Sequence, residues 1–206
     1  MILVSAVNKK SKDECTAHFS NGMVMNFTAE ELCAFHIKEG REFEEPKFEQ
    51  VISKVWTERA KAKVMSSVLY SPKTSKQVRD KILKEGFNEN VADKLVDELT
   101  EKGYIDDEAY AERFIKKAIK SKPNSVMKIT ADLRGKGISG EVISRAIKKL
   151  TPDEDEMALR ALEKKLHQSR DKEYNKLYGF LSRKGFPSGA ARKALEHFGI
   201  EKDNEY

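Results

Sequence analysis

Two constellations in this 206-residue chain have the residue types of a chemical site. Asp106, Asp107 and Glu108 stand side by side in "GYIDDEAYAERF", residues 103–114, and clustered carboxylates are what a divalent cation or general acid–base chemistry requires. Cys15-x-x-His18 and Cys33-x-x-His36 each pair the ligand types of zinc at a two-residue spacing. The surroundings argue against both. No His or further carboxylate accompanies the triplet at helical intervals, whereas each of its members suits a helix start. Asp106 fits an N-cap, and Asp107 and Glu108 fit a first turn, where negative charge meets the positive end of the helix dipole. If "CTAHF" is a regular strand, Cys15 and His18 project to opposite faces, although Cys33 and His36 share a helical face; reduced, partly buried thiols are the expected state. His167 and His197 have no nucleophile or acid in triad-like order. No GxxxxGK[ST] or GxGxxG segment cradles a phosphate. The reading is a non-enzymatic protein without metal or cofactor.

The elements that hold these residues fall into two classes. "ILVSAV", "CTAHF" and "MVMNF" are short β-forming segments, with "SNG" as a turn signal, and predict a β-hairpin or a three-stranded sheet. Thr28 and Glu31 form a capping box for a short helix with Leu32, Phe35 and Ile37 on its apolar side, and "KEGREFEEP" reads as a connector. From about Pro46 a period near 3.6 takes over, beginning with the stripe Val51, Ile52, Val55, Trp56, Ala60 and Val64. Trp56 reads as core rather than as a platform for stacking bases.

The helical part repeats itself. Gly86, Gly137 and Gly185 anchor three copies. Eight residues earlier stand Val78, Ile129 and Leu177; four earlier, Ile82, Leu133 and Leu181. One residue after come Phe87, Ile138 and Phe186, and five after, Val91, Val142 and Ala190. Ten after come Val96, Ile147 and Leu195, and thirteen after, Leu99, Leu150 and Phe198. The spacing describes a helix ending on a left-handed glycine, then a helix opened by Asn88, Ser139 or Ser188 as N-cap. A third helix comes first in each unit. In the second copy it starts at Asp106 and buries Tyr110, Phe114 and Ala118; in the third, Thr151, Pro152 and Glu154 supply a capping box and an N1 proline. The fold class is therefore mainly α: three tandem three-helix repeats stacked as an elongated, curved array after a small β-rich segment. The expected divisions are 1–45, 46–105, 106–150 and 151–206.

Charge is uneven along this array. Residues 1–50 carry 6 basic and 9 acidic side chains, whereas Arg113 to Lys149 hold eleven Lys and Arg against Asp132 and Glu141 alone. A field of that sign attracts a polyanion or an acidic protein surface. The candidate contact residues are Lys116, Lys117 and Lys120 on the helix opened by Asp106, then Lys128, Arg134 and Lys136. Arg145, Lys148 and Lys149 follow, and in the third copy Lys164, Lys165, Arg183, Lys184, Arg192 and Lys193. Eight residues past the anchors the copies read Lys94, Arg145 and Lys193, a column that could follow a periodic anionic surface or simply face water. No apolar run reaches the roughly 18 to 20 residues of a membrane span, so a soluble, cytoplasmic protein without membrane contact is expected. The two cysteines make no disulfide framework.

"LTEKGYIDDEAYAERFIKKAI" followed by "ITADLRGKGISGEVISRAI" closely resembles the signature of the RecX family of bacterial recombination regulators. In that family a G-Y-hydrophobic-Asp/Asn-Asp phrase opens the central repeat, matched here by Gly103, Tyr104 and Asp107 with Ala111 beyond. L-x-x-K-G-hydrophobic joins the next two helices, matched by Leu133, Lys136 and Gly137. The resemblance covers roughly residues 60 to 200. The sequence departs from it at Ser125, where the family commonly has glycine, with Lys128 supplying the nearby charge, and near Lys73 and Lys76, where an arginine is common; both departures are expected to bear on partner contacts. The resemblance implies a monomeric regulator that binds in the groove of the RecA–single-stranded DNA filament and restrains filament growth, ATP hydrolysis and strand exchange. A stand-alone helix–turn–helix DNA-binding protein is the competing reading, since a basic second helix after a glycine turn can enter a major groove.

Overall fold

Three strands form first, as the alternation requires: β1 (Ile2–Lys9), β2 (Glu14–Phe19) and β3 (Val24–Thr28), all antiparallel. The computed structural model describes residues 1–121, 123–168 and 173–202. The sheet has a fourth strand. β4 (Glu42–Phe43) pairs with Ile2 and Leu3 on the free side of β1, giving the order β3-β2-β1-β4, so the segment read as a connector closes one edge of the sheet. Two residues are too few for a period of two to register in sequence.

The capping box at α1 (Ala29–Ala34) forms as expected. Glu31 N–H donates to Thr28 Oγ1 at 3.1 Å, and Thr28 N–H to Glu31 Oε2 at 2.9 Å. The helix is shorter than its apolar side suggested. Phe35 is its C-cap, Ile37 is buried beyond it, and His36 sits at φ 53, so Cys33 and His36 share no continuous helical face. Cys33 is exposed and Cys15 half-buried.

α2 (Glu45–Tyr70) begins immediately after β4 and packs Phe48, Ile52 and Val55 against Val4, Ala17, Phe27 and Phe43 of the sheet. Arg59 of α2 clamps the Glu31 carboxylate from Nε and Nη2, both at 2.7 Å, and also donates to Asn26 O. That hydrogen bond, more than burial opposes it, holds Glu31 below the ordinary carboxylate range. Trp56 is not core. It is 38% exposed, edge-on to Phe87, with the Arg59 guanidinium 5.1 Å from its ring. A residue one step off the Ile52–Val55 stripe carries the helical period yet faces outward.

Among the described residues eight further helices follow: α3 (Ser75–Lys84), α4 (Glu89–Glu101), α5 (Asp107–Lys120), α6 (Val126–Gly135), α7 (Gly140–Leu150), α8 (Glu154–Gln168), α9 (Tyr174–Arg183) and α10 (Ser188–His197). The architecture is mainly helical behind a small antiparallel sheet. Among the described residues no helix is long and apolar enough to cross a membrane. The repeat columns fall where burial demands them: Val78, Ile82, Ile129, Leu133, Leu177 and Leu181 are all buried. Gly86, Gly137 and Gly185 take φ values of 91°, 85° and 80°. In the second repeat the core stripe of α5 runs through Ala111, Ile115 and Ala118; Tyr110 and Phe114, expected to point inward, are only partly buried.

Caps obey the expected chemistry with two exceptions. Asn88 and Ser139 accept from Val91 and Val142 N–H at 3.0 and 3.3 Å. Ser188 instead is the first residue of α10, behind a Pro187 that makes no side-chain cap. The Thr151–Glu154 capping box is also absent. Thr151 closes α7 in the left-handed region at φ 40, and Asp153 caps α8 by accepting from Asp155 and Glu156 N–H at 2.9 and 3.1 Å. Aspartate caps as well as threonine, and a carboxylate can serve two N–H groups at once. Asp153→Ala is therefore expected to cost about 1 kcal/mol in urea denaturation, and Thr151→Gly, which relieves the left-handed strain, to leave stability equal or higher.

The chain divides into two units, Met1–Ser67 with Lys81–Glu98, and Val68–Asp80 with Leu99–Tyr206. The first holds the sheet core. In the second, α5 packs along α7 and α8 along α10, and one continuous core runs from Ala111 through Leu133 and Leu162 to Leu195.

Candidate partner-binding surface

Within the second unit, successive repeats meet through a bond pattern that recurs. Thr74 and Ser125, each twelve residues before an anchor glycine, are both fully buried polar residues at the start of a helix. Thr74 Oγ1 donates to Lys136 O at 2.7 Å, and the next backbone N–H, of Ser75, donates to Asp107 Oδ1 at 2.9 Å. One repeat later Ser125 N–H faces Lys184 O at 3.4 Å, and Val126 N–H donates to Glu154 Oε1 at 2.5 Å. Each joint thus clamps a helix N-terminus between an acidic side chain and the carbonyl of the lysine before the next anchor glycine. Such N–H groups have no partner inside their own helix, so an acceptor from the neighbouring repeat satisfies them.

This assigns all three members of the acidic triplet. Asp106 caps α5 by accepting from Ala109 N–H at 2.8 Å, Asp107 reaches across to Ser75, and Glu108 pairs with Arg145. The reach of Asp107 leaves no trace in sequence, because its donor is a backbone group. Ser125 lies buried inside a joint, where its Oγ caps α6 by accepting from Lys128 N–H at 3.0 Å. Among the described residues no three His, Cys, Asp or Glu side chains converge as a metal site.

Glu154 is the less settled acid of the two joints. Its Oε2 is buried without a hydrogen-bond partner, and burial raises its pKa above the ordinary value against the help of Val126 N–H. A raised carboxyl contributes stability that is complete in acid and disappears as pH rises through the folded-state value. Glu154→Gln keeps the acceptor and removes the charge. Thermal melts over a pH series should show the variant matching the parent in acid and exceeding it increasingly toward neutrality.

Beside each joint lies a groove. One of about 480 Å3 is lined by Pro72, Tyr110, Arg113, Phe114, Lys117, Ala118, Asn124, Asp132 and Lys136. The other, of about 320 Å3, is lined by Pro123, Asn124, Ala161, Lys164, Lys165, Gln168, Phe180 and Lys184. They are the same site in successive repeats. Pro72 and Pro123 stand fourteen residues before their anchors, Lys136 and Lys184 one before, and Lys117 and Lys164 each lie ten after the joint acids Asp107 and Glu154. In the second groove Lys184 Nζ donates to Asn124 Oδ1 at 2.9 Å and sits 5.5 Å from the Phe180 ring. Burial first, and the Lys164 charge second, lower its pKa.

The structure separates the fifteen candidate cations into three groups. Lys117, Lys136, Lys164, Lys165 and Lys184 line the grooves. Lys116, Arg145, Lys149 and Lys193 are engaged within their own repeats: Lys116 and Lys149 with Glu112 at 3.6 and 2.5 Å, Arg145 with Glu108 at 3.6 Å, Lys193 with Asp155 at 2.5 Å. The Lys149 hydrogen bond holds Glu112 below its ordinary pKa, and Lys149 and Lys193 are raised by their carboxylate partners. Lys94, the first member of the column that includes Arg145 and Lys193, donates to Ser53 Oγ at 2.8 Å. Lys120, Arg134, Lys148, Arg183 and Arg192 are exposed, as is Lys128, which pairs with Asp132 at 2.8 Å. The sequence reading omitted Arg113, Asn124 and the two prolines; the equal distance of the prolines from their anchors was the signal available for them.

The pattern of the RecX second three-helix domain matches residues 106–147, and that of the RecX third three-helix domain residues 153–195. Over 156 residues the chain is 30% identical to the regulatory protein RecX of Streptomyces lividans, covering 71% of this chain and 83% of that one. The chain belongs to the RecX family. Its relative from Clostridium botulinum (strain Eklund 17B / Type B), also a regulatory protein RecX, is 29% identical over 187 residues, 87% of each chain. The fold is shared with the crystal structure of a regulatory protein RecX, at a TM-score of 0.65 and 20% identity, covering 95% of this chain and all of that one. Both RecX domain patterns begin at an aspartate that caps a first helix, Asp106 and Asp153. Membership of this family makes the chain a regulatory protein.

Proposed function

We propose that this chain is a non-enzymatic regulator of homologous recombination and the DNA-damage response. It binds in the groove of the filament that RecA recombinase forms on single-stranded DNA, and it restrains filament growth, ATP hydrolysis and strand exchange. It acts in the cytoplasm as a monomer, through a sheet segment, 1–45, and three-helix units 46–105, 106–150 and 151–206. The supporting observation is the recurrence of one lysine-rich groove at successive repeat joints. A filament offers the same surface at regular intervals, and several modest contacts along it combine through effective concentration.

The helix–turn–helix alternative finds less support. A major-groove reading helix needs free cations, whereas Arg145 and Lys149 of α7 and Lys193 of α10 are turned to carboxylates of their own repeats, which leaves Lys148 on α7 and Arg192 on α10 as the exposed candidates. The discriminating experiment is RecA-dependent ATP hydrolysis on single-stranded DNA, titrated with this chain across a salt series. Saturable inhibition that weakens with salt supports the reading. Unaltered hydrolysis, together with tight binding to duplex DNA without recombinase, would overturn it.

A further inference from the structure

We propose that the two joint grooves receive acidic side chains of the partner protein, carried on one segment that crosses Asn124 and places a carboxylate in each groove. This rests on the filament reading and goes beyond it, naming which of the filament's two components these lysines meet.

Charge comes first. The second groove is lined by Lys164, Lys165 and Lys184, with no carboxylate among its described lining residues. The first has Arg113, Lys117 and Lys136 against Asp132, whose charge Lys128 already meets at 2.8 Å. Both recesses therefore present uncompensated positive charge on a half-apolar floor, and they adjoin at Asn124, which lines both.

The aromatic rings then distinguish a protein ligand from a nucleic acid. Single strands are held by bases stacked on open aromatic faces beside a basic track. Here ammonium groups already stand over those rings: Lys136 lies 6.0 and 5.9 Å from Tyr110 and Phe114, and Lys165 and Lys184 lie 5.8 and 5.5 Å from Phe180. A base would have to displace a lysine to stack. A carboxylate instead adds to the cation–π arrangement, reaching an ammonium that the ring already holds in place, helped for Lys184 by Asn124. The aromatic residue comes from α5 in one groove and from α9 in the other, yet both put a ring beneath the lysine that precedes an anchor glycine. The repeated feature is thus the supported lysine, whichever helix supplies the support.

A zero-length carbodiimide, which joins an amine only to a carboxylate in contact with it, tests this on the full chain bound to RecA filaments on oligo(dT), with the linked peptides mapped by mass spectrometry. Lys117, Lys136, Lys164 and Lys184 are expected to link to recombinase Asp or Glu residues. In parallel, Lys136→Ala with Lys184→Ala removes both supported ammonium groups and keeps the backbone carbonyls of the joints. It should weaken filament binding about tenfold or more and leave the chain's affinity for oligo(dT) alone unchanged. Undiminished filament binding by the variant, or photo-crosslinks from these lysines to DNA in place of links to carboxylates, would overturn the inference with the filament reading intact. Failure of the parent chain to bind filaments would overturn both.

Discussion

Reversing Lys117 and Lys164 together to glutamate should raise the concentration of chain that half-inhibits RecA-dependent ATP hydrolysis by about a hundredfold, roughly tenfold for each groove. Both side chains are exposed at equivalent positions on the first helices of their repeats. Neither takes part in a joint, so the melting temperature should hold. The matched control reverses Arg145 and Lys193, which sit opposite Glu108 and Asp155. There the new charges repel the first helices of their own repeats: stability should fall, while inhibition changes less than in the groove variant. The ratio of half-inhibiting concentrations, set beside the two melting curves, separates a contact surface from an internal strut.

A larger effect on folding is expected from Gly137→Ala. At φ 85° a side chain is disfavoured by about 1–2 kcal/mol. A methyl group there would also lie 2.9 Å from Lys76 Cγ and closer still to that side chain's Cβ and Cδ, at the joint where Thr74 holds Lys136 O. Overpacking of this kind costs about 1–3 kcal/mol, so a loss of about 3 kcal/mol in urea denaturation is expected. Gly103→Ala supplies the comparison. It shares the backbone constraint at φ 74° with open space where its methyl would lie, and should cost only about 1 kcal/mol. Equal losses at the two sites would mean that the joint yields freely.

What the sequence disclosed and what it withheld divide on physical lines. The anchor glycines and the columns at Val78, Ile129 and Leu177 were legible because a left-handed turn selects glycine and a buried helix face selects apolar residues, and both choices recur with each copy. β4 was not, since its two residues carry no period. Thr151 read as a cap because its residue type suits one, yet it closes α7 in the left-handed region, and Asp153, two residues on, caps α8 through different N–H groups. The cations were the hardest to sort. Lys116 and Lys117 are neighbours in sequence and equally charged, and only the position of Glu112 on the same helix makes one an ion-pair partner while the other lines a groove. The joints were invisible for a further reason: Asp107 and Glu154 bind backbone N–H groups, which every residue but proline possesses.

The most direct measurement is the fluorescence anisotropy of labelled chain titrated with RecA filaments preassembled on oligo(dT), run beside oligo(dT) alone and recombinase alone. Expected is saturable binding to the filament, stronger than to either component and weakened by salt. Equal affinity for naked oligo(dT) and filament, or no binding to the filament at all, would contradict the role proposed for this chain.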